Sequence, residues 1–217
     1  MRSAALFDVD RTLVTVNTAR LYVRWQMQRR GASLLDYLRV TGALFQYALG
    51  TLDPEHAASH AFAVVRGTSE AELREECLGW YARVVRPHIS GQARREVERR
   101  RSEGHTCAIL SASTPYLTEP LAEELGIDHV LCTRLEVSDG MFTGGWQAPL
   151  CYGVGKVAHA KQWASVHGID LAQSSFYTDS ISDLPMLEAV GMPRVVNPDP
   201  RLRLVAARRR YPVERWK

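Results

Sequence analysis

A four-residue apolar run, Ala4-Ala5-Leu6-Phe7, stops abruptly at Asp8-Val9-Asp10-Arg11-Thr12-Leu13. The run reads as a short buried strand, and two acids stand where that strand must end. Alternate residues of an extended segment point the same way. Continued extension would aim both carboxylates at one spot, although a turn out of the strand would re-aim the second. Two like charges that close repel each other unless a cation sits beside them. An ordinary turn opened by Asp and Thr is the plainer alternative, since Asp is common in turns.

Three later segments bear on that choice. Ile109-Leu110-Ser111-Ala112-Ser113 ends a second apolar strand in a hydroxyl. Gly153-Val154-Gly155-Lys156 brings a lysine to the start of a helical pattern. Phe176-Tyr177-Thr178-Asp179-Ser180-Ile181-Ser182-Asp183-Leu184-Pro185 ends another strand with two more acids, four apart.

Around these segments the chain alternates. Helical patterns cover 90–103, 115–125, 156–167, a short stretch from Leu184, and 201–210. Strand patterns cover 106–111, 129–132, 174–178 and 193–196. A small hairpin over 134–144 is expected to turn at Asp139-Gly140. Strands alternating with helices imply a mostly parallel sheet covered on both faces, with ligands at the carboxyl ends of the strands. The predicted fold is α/β and Rossmann-like. Between the first strand and this alternation lies a purely helical block. Its four helices run over 18–30, from about 33 to 49, from Asp53-Pro54 to about 66, and from Thr68 or Ser69 to Val85. The predicted division is 1–14 with 89–217 as the α/β core, and 15–88 as an inserted helical subdomain. Its aromatic residues Trp25, Phe45, Tyr47, Trp80 and Tyr81 read as that subdomain's own core.

The order of acid pair, hydroxyl, lysine and second acid pair resembles the haloacid dehalogenase-like phosphohydrolases. Within them the chain resembles the phosphoserine-phosphatase-like branch, whose helical cap follows the first motif. Asp139-Gly140 through Gly144, and Val196-Asn197-Pro198-Asp199-Pro200-Arg201-Leu202, extend the likeness over nearly the whole chain. The resemblance implies that 15–88 is a cap over the site. It implies Asp8 as nucleophile and Asp10 as general acid and base. Lys156 would offset phosphoryl charge, and Ser111 with the backbone of Ala112 would bind phosphoryl oxygens. Mg2+ would be held by Asp8, the Asp10 carbonyl, Asp179 and, directly or through water, Asp183. A halide leaving group needs no proton, so Asp10 favours phosphate-ester chemistry over dehalogenation. The implied function is magnesium-dependent hydrolysis of a small phosphorylated metabolite through an aspartyl phosphate. A phosphotransferase or mutase using the same intermediate is the alternative, and a non-catalytic metabolite-binding module is a third reading.

Plainer readings stand beside these roles. Ser111 could cap the helix after it, and Asp179 and Asp183 could cap the one at Leu184. Gly153-Val154-Gly155-Lys156 is not a nucleotide P-loop, because Leu150 stands at the first glycine position and Val157 replaces Ser/Thr. Phosphoserine phosphatases place a glutamate shortly after the first motif; Asn17 stands there, which counts against phosphoserine. Arg20, Arg24 and Arg66 complete the candidate substrate contacts with Asn17. His56 and His60 lie one helical turn apart without an evident third metal ligand, so a solvated face is expected.

Composition narrows the partners. The net charge is +3, but 24 of the 27 basic residues are arginine. The runs Arg94-Arg95, Arg99-Arg100-Arg101 and Arg208-Arg209-Arg210 lie in helical patterns, two of them interspersed with glutamates. Solvated helix faces are expected, not a nucleic-acid groove. No apolar run has membrane-crossing length, and no leader pattern opens the sequence. A cytoplasmic monomer or homodimer without membrane contact is expected. Cys77, Cys107, Cys132 and Cys151 form no CxxC pair and read as buried free thiols.

Overall fold

The computed structural model of the chain describes residues 2–30 and 54–217. Its strands are β1 (Ala4–Phe7), β2 (Thr106–Ser111), β3 (His129–Cys132), β4 (Leu135–Ser138), β5 (Met141–Trp146), β6 (Ser175–Thr178), β7 (Met192–Val196) and β8 (Val213–Glu214). Six of these make one sheet in the order β3-β2-β1-β6-β7-β8, with every pairing parallel. The first strand is therefore central. Phe7 stands in register with Ile109 on one side and Tyr177 on the other.

A strand covered on both faces must be apolar at every position, and all four residues of β1 are buried. Their alternation sorts them between two cores. Ala5 and Phe7 join Cys107 and Ile109 on one face, under α4 (Gly91–Ser102) and α5 (Pro115–Leu125). Ala4 and Leu6 join Ala108 and Leu110 on the other face. There α6 (Val154–His167), α7 (Leu184–Ala189) and α8 (Pro200–Arg209) cover the sheet. The expected α/β fold with helices on both faces is thus the one formed. Burying a residue such as Leu6 or Phe7 stabilises the fold by about 1.5–3 kcal/mol.

The helical block contains α1 (Thr18–Arg30), α2 (Pro54–Ala63) and α3 (Glu70–Trp80). The helix expected over 33–49, with Phe45 and Tyr47, lies outside the described residues. Ser69 caps α3 as anticipated, its hydroxyl accepting from Glu72 N. That helix does not run regularly to Val85. It widens into a π-helical turn at Tyr81–Val85 and tightens into a 3₁₀ turn at Arg86–His88. The reading of the aromatic residues as a separate core is corrected. Trp80 and Tyr81 are buried in the same cluster as Phe7, Val9 and Leu13, and Trp25 packs against it. Their spacing showed a helical face but not what that face met.

The β4–β5 hairpin turns at Asp139 and Gly140, both at positive φ, as a two-residue turn between right-twisted strands requires. It docks on the helical block. Gly67 N donates to Phe142 O at 2.8 Å, Phe142 N to Thr68 O at 3.0 Å, and Glu70 N to Gly140 O at 2.9 Å. The four cysteines are buried and free, as expected. Arg100 departs from the solvated-face reading. It is buried, and its Nε donates to Glu96 at 3.0 Å and to the Tyr177 hydroxyl at 2.8 Å. Among the described residues no helix is long and apolar enough to cross a membrane.

Candidate active site

The carboxyl ends of β1, β2 and β6 bring Asp8, Ser111 and Asp179 to one end of the sheet. The ladder between β1 and β6 continues one step further, Asp8 N donating to Tyr177 O at 2.9 Å. The chain then turns sharply. Thr12 N and Val14 N both donate to Val9 O, and Arg11 N donates to Val16 O. This closed turn re-aims the second acid.

Asp8 faces Lys156, whose Nζ donates to Asp8 Oδ1 and Asp183 Oδ2, both at 2.7 Å. Asp10 faces the start of α1 instead. Its Oδ1 accepts from the Thr18 hydroxyl at 2.6 Å and from Thr18 N at 2.9 Å, and its Oδ2 accepts from Asn17 Nδ2 at 3.0 Å. Asn17 does not project freely to meet a ligand. Its amide binds Asp10, and its carbonyl oxygen accepts from Arg20 N at the helix start.

Lys156 reaches the cluster because α6 starts there. The turn before it is pressed against the backbone of Leu150, where a Cβ on Gly155 would lie 1.9 Å from the Leu150 carbonyl oxygen. Only glycine allows that approach. This is the reason for the glycine that superficially suggested a phosphate loop.

The capping alternatives fail on geometry. Asp183 stands at the start of α7, but its side chain makes no cap bond. It accepts instead from Lys156 and from the Thr178 hydroxyl at 2.6 Å. Ser111 Oγ accepts from Ser113 N at 3.2 Å, while α5 is entered from Thr114 without a side-chain cap. Ala112, beside it, is half-buried.

The electrostatics are those of a site built for positive charge. Burial pushes the Asp8 carboxyl up to about 7, with Lys156 opposing and Asp183 and Asp10 adding to the rise. Burial, then the charges of Asp8 and Asp10, push Asp179 up to about 8. Burial also raises Asp10, against the hydrogen bonds from Thr18. Burial alone would lower the Lys156 ammonium, but Asp183 and Asp8 together hold it above its usual value. Asp183 Oδ1 is buried, and among the described residues it has no hydrogen-bond partner. Buried carboxylates raised by one another, beside an orphaned oxygen, fit a hard cation with oxygen ligands. Among the described residues no three His, Cys, Asp or Glu side chains close into a ready cage. Asp10, with both oxygens committed to Thr18 and Asn17, could supply only its backbone carbonyl.

Two contributors were missed in the sequence. Arg11 NH1 lies 3.9 Å from Asp179 Oδ2, and Thr18 holds Asp10. Arg20, Arg24 and Arg66 are exposed, and among the described residues no ion pair links them to Asp8, Asp10, Asp179 or Asp183. Arg66 lies over Gly144 of the hairpin, its Nε 2.8 Å from where a Cβ would stand. His56 and His60 are exposed, their rings 4.5 Å apart, with no third ligand among the described residues.

Known proteins resemble the chain in sequence and in fold. The chain is 28% identical over 222 residues to a histidinol-phosphatase of Neisseria meningitidis, covering 100% of both. It is 32% identical over 221 residues to a phosphoserine phosphatase of Mycobacterium tuberculosis, covering 98% of this chain and 70% of the relative. A crystal structure of a Bordetella pertussis protein of unknown function superposes with a TM-score of 0.88 at 31% identity, covering 98% of each chain. The family pattern for haloacid dehalogenase-like hydrolases matches residues 5–188. The chain belongs to the haloacid dehalogenase-like hydrolase family.

Proposed function

We propose that this hydrolase is a magnesium-dependent phosphatase that cleaves a small phosphate monoester through an aspartyl phosphate on Asp8. The observation that carries the reading is the different setting of two acids two residues apart. Asp8 is held against the Lys156 ammonium, and Asp10 is turned aside and held by Thr18 and Asn17. Acids whose environments part in this way can take different roles.

Asp8 attacks phosphorus. An Asp8 oxygen–phosphorus bond forms as the bond to the ester oxygen breaks. Asp10, raised by burial and so able to carry a proton, delivers it to the departing alkoxide. Asp10 then takes a proton from water, and that water releases phosphate and regenerates Asp8. Lys156 favours the ionised Asp8 carboxylate against the effect of burial and offsets phosphoryl charge. Ser111 and the backbone at Ala112 donate to phosphoryl oxygens. Asp8 and Asp179 would hold magnesium with the Asp10 carbonyl, and Asp183 Oδ1 through water. This donor set suits an ion that binds few carboxylates and keeps several waters. When bound, the ion neutralises charge developing on the phosphoryl group. A binding module would need no Asp10 so held.

Relatives of comparable likeness carry different substrates in their names, which supports the reaction and leaves the ester open. Asn17, occupied with Asp10, offers no carboxylate to an ammonium, so phosphoserine is expected to be a poor substrate. The test is hydrolysis of an aryl phosphate and of a panel of small monoesters, phosphoserine included. Turnover with Mg2+, its loss in EDTA, and loss of several orders of magnitude in Asp8→Asn are expected. Full turnover in EDTA would refute the metal, and wild-type turnover in Asp8→Asn would refute the nucleophile.

A further inference from the structure

Strand β6 ends at Thr178, and alternation along the strand decides which way that side chain faces. Tyr177 joins the core that holds Phe7, while Phe176 joins the opposite core, under α6. Thr178, two residues after Phe176, shares its face. Lys156 reaches the same place from α6, its Nζ 5.5 Å from the centre of the Phe176 ring. Thr178 is 0% exposed and Asp183 1%. A hydroxyl and a carboxylate so enclosed must find partners within the protein.

A hydroxyl has one hydrogen to give. Thr178 Oγ1 accepts from Ser180 N at 3.2 Å and donates that hydrogen to Asp183 Oδ2 at 2.6 Å. The same oxygen accepts from Lys156 Nζ at 2.7 Å. Oδ2 therefore has two donors, and among the described residues Oδ1 has none. The lysine does not create this asymmetry. Its ammonium turns three donors on a flexible stem and can follow either oxygen. The last torsion of an aspartate is broad and roughly two-fold, so lysine alone would leave the two oxygens exchangeable. Threonine is stiffer. Its branched Cβ restricts χ1, it sits in a paired strand, and Ser180 N holds its oxygen.

We infer that Thr178 is a positioning residue for the metal site: its hydroxyl fixes the rotation of the Asp183 carboxylate, so that Oδ1 is the oxygen presented to a water of bound magnesium. The inference rests on the magnesium reading of the site and deepens it. A partner bonded to the other atom of a ligating group holds that group's orientation, and its loss weakens metal binding by about 10–100-fold. Thr178 acts through Asp183, so its influence on turnover passes through the affinity for Mg2+.

Calorimetric titration of Mg2+ into the metal-free protein, with no ester present, reads this directly. Thr178→Val keeps nearly the same shape and removes the hydroxyl, whereas Thr178→Ser keeps the hydroxyl. The Mg2+ Kd is expected to rise about tenfold or more in Thr178→Val and to stay within about threefold of wild type in Thr178→Ser. Melting temperatures of the same metal-free proteins separate positioning from packing. A lowered melting temperature with an unchanged Kd in Thr178→Val would show a merely structural hydroxyl and overturn the inference. A Kd raised as much in Thr178→Ser as in Thr178→Val would overturn it too. Should Thr178→Val fail to fold, Thr178→Ala, which only removes atoms, is titrated in its place with the same outcomes. Absence of Mg2+ binding by the wild type would defeat the magnesium reading and this inference together. An unchanged Kd in the variant would defeat the inference alone, so the two failures are distinct.

Discussion

At the residue scale, one ammonium and one hydroxyl divide the labour of two neighbouring acids. Lys156 binds Asp8, and Thr18 binds Asp10. Hydrogen bonds to a carboxylate favour its charged form. Thr18→Val removes one of them, so the Asp10 carboxyl, already raised by burial, should rise further. In the proposed mechanism Asp10 carries a proton to the alkoxide. The basic limb of the kcat/KM profile is therefore expected to move to higher pH, with kcat about tenfold or more lower. An unmoved limb would assign that limb to another group. The sequence made Asp8, Asp10, Lys156, Asp179 and Asp183 readable because each stands at a strand end or helix start within a local pattern. Thr18 and Arg11 were not readable as partners. Their roles depend on how the turn after Asp10 folds back, and Asn197, which braces that turn, lies 186 residues away.

Elements deliver these residues, and at that scale glycine has a defined cost. Gly155→Ala would set a Cβ 1.9 Å from the Leu150 carbonyl oxygen, a backbone atom that cannot swing aside. The start of α6 must shift, and Lys156 with it. A destabilisation of about 1–3 kcal/mol is expected, with loss of turnover beyond what the lowered melting temperature explains; unchanged melting and kcat would contradict the contact. Most element boundaries were legible because Gly, Pro and Ser punctuate them. The two-residue strand β8 was not: Val213-Glu214 is too short to show alternation, and pairing with β7 defines it. The π-helical turn at Tyr81–Val85 escaped notice because its composition continues a helical pattern. Arg100 looked like its solvated neighbours, since only the folded chain puts the Tyr177 hydroxyl against it.

Over the whole molecule, the acid cluster couples protonation to stability. Asp8 near 7 and Asp179 near 8 lie above the 3.8 of the free side chain. Folded, metal-free protein therefore holds protons that the unfolded chain has released. The stability these groups confer is full below about pH 4 and is lost as pH climbs through about 7 to 8. Melting temperature in EDTA should fall between about pH 6 and about pH 9, and Mg2+ should restore more at the higher pH. A flat profile would remove the cluster from the balance. The connections of the helical block are paired, Thr15 N donating to His88 O at 2.9 Å and Ser90 N to Leu13 O at 3.0 Å. With the hairpin docked on the block, both are expected to move together when beryllofluoride occupies Asp8. Hydrogen exchange should change at Thr15 and Ser90 while Gly67 and Phe142 stay protected; unchanged exchange at the paired connections would mark the block as a fixed wall. The central position of β1 has a further consequence, for the order in which the protein can be made. Its four buried residues leave the ribosome well before their partners Thr106–Ile109 and Ser175–Tyr177. Until then a wholly apolar strand has both edges open, the condition under which nascent chains aggregate. The proposed nucleophile Asp8 is thus carried by a segment that waits for its neighbours, and the acid cluster around it is complete only once Asp183 has emerged.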